Sequence, residues 1–267
     1  MTTKQKIIKI LAIGFAISII MSILSIIISI FSGISSIFID TRDLVTYSKE
    51  YSNIERIKID NLNTLVTIKE GSKFRVDAIN VDKKLKINLV NDTLKIEENR
   101  IGINKTDSKL IITVPGYLEI NGISINDSTS KILIDNINVS SFEIEQGIGM
   151  LEINNSFIKN ASIDGGIGEI DVTNSKFYNL ELDSGIGAIK MDASIMGNSE
   201  ISCGIGNIDI DLIGVEEDYS IDIEKGIGSI KINNRKIKNN TTYGKGINKL
   251  DIDGGIVNIN ISFDKWD

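Results

Sequence analysis

The stretch Gly165–Ser194, GGIGEIDVTNSKFYNLELDSGIGAIKMDAS, carries the tripeptide Gly-Ile-Gly twice, with its first glycine at 166 and again at 185. The tripeptide stands at 147–149, 166–168, 185–187, 204–206 and 226–228, and degenerate copies follow at 246–248 and 255–257. Four places after each first glycine lies an aliphatic residue, among them Ile170, Ile189, Ile208 and Ile230. Six places after lie Ile153, Val172, Met191, Ile210 and Ile232, and three places before lie Ile144, Ile163, Leu182, Ile201 and Ile223. The residues between are polar or small. Alternation with period two marks strands, and its return every 19 residues, loosening to 22 between Gly204 and Gly226, marks a stack in which each segment pairs with its counterpart one repeat away.

This pattern predicts an all-β chain folded as a β-solenoid with coils of about 19 residues, running from 121 to 263 as about seven coils. The glycine pairs Gly147 and Gly149, Gly166 and Gly168, Gly185 and Gly187, Gly204 and Gly206, and Gly226 and Gly228 are read as the corners. The isoleucines they bracket, Ile148, Ile167, Ile186, Ile205 and Ile227, are read as inward plugs, in one core with Ile170, Ile189, Ile208 and Ile230. Asn154, Asn155, Asn174, Asn233 and Asn234 fall at the second corner, where asparagine tolerates a left-handed backbone. Cys203, just before Gly204, is expected to point outward.

Two glycine chemistries are set aside. A phosphate cradle needs G-x-G-x-x-G opening a helix or GxxxxGK[ST], whereas GIGEID lacks the third glycine and precedes a strand. GGIGEIDVT is close to a nine-residue calcium repeat, but its acid falls one place late, on the opposite face of a strand. The column that holds Asp171 also holds Lys190 and Lys231, which repel a cation. No metal or cofactor site is expected.

Composition narrows the function classes. Apolar residues make up 42% of the 267 and aromatics 6%, and the chain has one proline, one cysteine and no histidine. Without histidine there is no histidine general base, metal ligand or triad. Net charge is −7 and arginine occurs only at 42, 56, 75, 100 and 235, so no nucleic-acid surface is expected.

The N-terminus reads MTTKQKIIKILAIGFAISIIMSILSIIISIFSGISSIFID, with Lys4, Lys6 and Lys9 and then no charge from Ile10 through Ile39. That length suffices for a membrane span and exceeds a signal-peptide core. The lysines place the first nine residues in the cytoplasm and the body outside. The expected order is therefore a cytoplasmic N-terminus (1–9), one transmembrane helix (10–39), a linker (40–53), a β cap of antiparallel or irregular strands (54–120), the solenoid (121–263) and a tail (264–267).

The succession IERIKID, LVTIKEG, FRVDA, LKINLVNDTLKIEE and LIITVPGYLEINGISI, followed by GIG-x-I/L-x-I units, resembles the DUF4097 family of β-strand-repeat proteins, labelled "putative adhesin". The resemblance covers about 54–263. It implies a β-solenoid in a bacterial envelope, behind one span, with relatives in envelope-stress systems, and it supplies no catalytic residue or ligand. The expected role is a non-catalytic interaction or scaffold module, an adhesin or stress-response accessory, contacting a wall polymer or an envelope membrane protein. The alternative is a carbohydrate-active β-helix enzyme with acids grouped on one outer face, and a third reading is a plain spacer.

Overall fold

The computed structural model describes residues 44–62, 64–98 and 108–264. The expected cytoplasmic segment, transmembrane helix and C-terminal tail (its last three residues) lie outside them, as do residues 40–43 of the linker. Among the described residues no helix is long and apolar enough to cross a membrane. The N-terminal strands are β1 (Leu44–Glu50), β2 (Arg56–Leu62), β3 (Leu65–Gly71), β4 (Arg75–Asp82), β5 (Lys86–Val90), β6 (Thr93–Glu97) and β7 (Lys109–Pro115). The repeat strands are β8 (Gly122–Asp135), β9 (Asn138–Asn154), β10 (Phe157–Ile195) and β11 (Asn198–Ile213). A single 3₁₀ turn (Glu216–Asp218) leads to β12 (Tyr219–Ile227), β13 (Ile230–Ile232), β14 (Arg235–Lys236), β15 (Thr241–Gly244) and β16 (Asn248–Asp264).

The repeats stack in parallel and in register. Ile144, Leu151 and Ile153 of β9 pair with Ile163, Ile170 and Val172 of β10, and Leu182, Ile189 and Met191 of β10 pair with Ile201, Ile208 and Ile210 of β11. Each column of aliphatic side chains thus becomes a ladder with rungs about 4.8 Å apart. The ladders merge into one apolar core that runs from Ile54 to Ile261. Ile170, Ile189, Ile208 and Ile230 are all buried.

The bends have a different geometry from the expected one. Alternation carries the residue just before the first glycine inward, so Gln146, Ser184 and Cys203 are buried. The backbone then passes through glycines with φ of 153° (Gly168), 155° (Gly187) and 155° (Gly206). This breaks the period-two phase, and the next inward residue comes five places later instead of four or six. Ile148, Ile167, Ile186, Ile205 and Ile227 therefore lie on the outer side of the bend and are exposed, not buried plugs. Cys203 is correspondingly inward, in a column that also holds Gly165, Ser184 and Gly254, because the inside of so tight a bend admits mostly small side chains. Its burial pushes the thiol pKa up.

The order of coils also departs from the chain order. β16 does not follow β13 at the end of the stack; it lies between β11 and β12, pairing in parallel with both. Ile256 is a rung between Ile205 and Ile227, while the copy at 246–248 is no corner and Ile247 stands exposed ahead of β16. β14 and β15 then cover the outer edges of β13 and β12 as antiparallel strands. At the other end, β2 and β3 stack in parallel on β8, so the parallel stack begins before the glycine signature does. The β5–β6 hairpin closes over β2, and β7, β4 and β1 close over β3, the last two antiparallel. Residues 44–50 of the expected linker are thus a strand. Antiparallel closure of both ends removes open parallel edges that would invite edge-to-edge association.

An added Cβ at Gly187 would lie 1.7 Å from the carbonyl oxygen of Gly168, in a backbone region L-residues avoid. Gly187→Ala is expected to cost at least about 2 kcal/mol. Ile186→Ala, on the outside of the same bend, is expected to cost no more than about 1 kcal/mol. Thermal melting of the two variants checks this: a Gly187→Ala midpoint no lower than that of Ile186→Ala would refute the stacking constraint.

Candidate interaction face

The strand half that precedes each bend presents two outward columns. Two places before the first glycine stand Glu145, Asp164, Asp183, Asp253 and Glu224, in stacking order, interrupted by Ser202. Four places before stand Glu143, Glu181, Glu200, Asp251 and Asp222, interrupted by Ser162. All ten carboxylates are exposed. From Glu181 to Asp222 four acids follow on successive rungs, about 5 Å apart, where like charges repel. Among the described residues no group of His, Cys, Asp or Glu is arranged to hold a metal ion.

Beside the acids runs a line of amides. The Asn179 Nδ2 donates to Asn160 Oδ1 at 2.9 Å, and the Asn198 backbone N–H donates to Asn179 Oδ1 at 3.2 Å. This line and the second acidic column border a shallow groove of about 590 Å³, with Lys249 and Asp251 at one end. The half after the bend is mixed in charge: Lys131 pairs with Glu152 at 2.6 Å and Lys190 with Glu169 at 2.5 Å.

The far corner is held by internal ladders. Asn136, Asn155, Asn174 and Asn233 adopt left-handed φ between 46° and 55°. Behind Asn155 and Asn174, the buried Ser156 and Ser175 accept in turn from the Ile137 and Ser156 backbone N–H groups, each at 3.1 Å. Each serine donates back to the chain two residues earlier, at 2.7 and 2.9 Å. These serines were not singled out from the sequence, although their spacing of one repeat is visible there.

Asp127 faces inward: in the glycine-free bend of β8 it occupies the column that holds Gln146 and Cys203 further along, and it is 1% exposed. It accepts from the Ser130 hydroxyl and from the Thr129 N–H at 3.3 Å. Desolvation outweighs these bonds and raises its pKa.

The Toastrack DUF4097 family model matches residues 54–252. A "putative adhesin" of Bacteroides fragilis shares the fold at 15% identity and a TM-score of 0.50, over 83% of this chain and 98% of its own. A "putative cell adhesion protein" of Clostridium sporogenes aligns at 14% identity and a TM-score of 0.40, over 83% and 100%. A "putative lipid binding protein" of Parabacteroides distasonis aligns at 16% and 0.43, over 80% and 96%. No curated protein matches the chain.

Because the folded state raises the Asp127 pKa, it holds that proton more tightly than the unfolded chain does. The cost of the charge is absent below the ordinary carboxylate range, builds as pH rises above it and is complete above the raised folded-state pKa. Asp127→Asn is therefore expected to raise the melting midpoint by a few degrees at pH 7, with the gain shrinking towards pH 4. A variant destabilised equally at both pH values would show that its accepted hydrogen bonds outweigh its burial.

Proposed function

The chain belongs to the Toastrack DUF4097 family, and for it we propose the role of a membrane-tethered, extracytoplasmic, non-catalytic interaction module of the cell envelope. The observation that carries this reading is the acidic and amide face repeated on successive rungs. Repetition at about 4.8 Å offers many equivalent weak contacts to an extended partner, whereas a catalytic centre needs one unlike pair of groups at one place. Envelope partners with repeated chemistry, a wall polymer or a membrane protein of a stress response, suit such a face, and adhesion is the same recognition turned outward.

The tether rests on the sequence: Lys4, Lys6 and Lys9 precede an uncharged run through Ile39, which favours a span with the N-terminus inside. The buried Cys203 is a poor reporter of topology, but Thr173 is exposed after a bend. In a Cys203→Ser background, Thr173→Cys is expected to react with a membrane-impermeant maleimide on intact cells. Reaction only after lysis would place the body in the cytoplasm and overturn the envelope reading.

A further inference from the structure

The six outward isoleucines form one continuous ladder: Ile148, Ile167, Ile186, Ile205, Ile256 and Ile227, in stacking order. Each is between 47% and 68% exposed. Scattered exposed aliphatics are ordinary, but a contiguous apolar strip is the usual mark of a contact site. The fold does not demand isoleucine here, because Thr129 occupies the same column on the preceding rung. Five rung spacings make a ridge about 24 Å long. Along one whole flank run the ten exposed carboxylates, with Lys249 beside Asp251 and Lys225 beside Glu224 and Asp253.

We propose that this isoleucine ridge and its acidic flank dock a cationic amphipathic polypeptide segment. Charge complementarity selects the occupant. A second copy of this chain, itself at net charge −7, would set acidic flank near acidic flank, and an anionic lipid surface would meet the same repulsion. An amphipathic helix of about 16 residues spans the ridge, with its apolar stripe on the isoleucines and its lysines or arginines over the carboxylates. The inference deepens the interaction-module reading by naming a partner chemistry. Binding measured in vitro does not depend on which side of the membrane the body occupies, so it fails or stands apart from the maleimide experiment.

The test uses the full chain in phosphatidylcholine nanodiscs, with empty discs as the blank. The probes are a 16-residue Leu/Lys amphipathic peptide, its Leu/Glu counterpart and a scrambled Leu/Lys isomer. Fluorescence anisotropy is expected to show binding of the Leu/Lys peptide alone, weakened about tenfold or more by 0.5 M salt. The variant Ile167→Ser/Ile186→Ser/Ile205→Ser, with its melting midpoint checked, is expected to lose binding at least tenfold. Should that variant unfold, Glu145→Gln/Asp164→Asn/Asp183→Asn, which leaves the ridge intact, is expected to show the same loss. Equal binding of the cationic and anionic peptides, no binding, or unchanged binding by a folded variant would overturn the proposal. Ridge-dependent self-association without peptide binding would assign the ridge to a second copy, and ridge-dependent capture of phosphatidylglycerol vesicles would assign it to lipid; either result overturns it.

Discussion

The structure depends on how closely the backbone of one coil approaches the next at the bend. At Gly168, Gly187 and Gly206 an added Cβ would lie 1.6 to 1.7 Å from the carbonyl oxygen of the glycine one coil below, inside any van der Waals contact. Glycine is required there twice over, for space and for φ near 155°. The same geometry decides what neighbouring side chains do. It narrows the inside of the bend, which is why Gly165, Ser184 and Cys203 occupy the inward column. It also breaks the alternation of strand faces, which is why the isoleucine between the glycines turns outward and the core resumes at Ile170, Ile189 and Ile208.

A stack of identical coils has a problem at its ends, since each terminal coil exposes unpaired backbone. This chain closes the N-terminal end with the β5–β6 hairpin and with β7, β4 and β1. At the other end it lays β14 and β15 over β13 and β12, then returns to insert β16 one coil inward. β16 is thereby paired on both sides. Its aliphatics Ile252, Ile259 and Ile261 are buried in the common core, so that end of the stack cannot form fully without β16.

What was legible in the sequence was whatever repeats: the strand type, the coil length, and the buried columns through Ile170 and Ile189. The facing of Ile186 was not legible. Period-two counting carries no information about a glycine whose φ shifts the phase, and an isoleucine reads as core by default. The inward column did have a signature, the small residues Gly165, Ser184 and Cys203, and Ser156 and Ser175 had theirs in their spacing. The insertion of β16 was hidden because pairing in space need not follow chain order. The copies at 246 and 255 stand too close together for both to be corners, which hinted that one of them was not a rung.

The positions fixed by the stack are the glycines, the small inward residues, the aliphatic ladders and the far-corner asparagines and serines. None of these fixes the outward columns, which solvent alone would leave free to be any polar residue. On one face they are nonetheless acids on rung after rung, at a cost in repulsion between neighbours such as Glu181 and Glu200. On the bend they are isoleucines left half in water, where Thr129 shows a polar β-branched residue is accommodated. Both choices work against stability or solubility when considered alone. Placed side by side they make a single amphipathic strip, apolar ridge and anionic flank, whose costs are offset only when something of opposite charge and matching apolar face covers it.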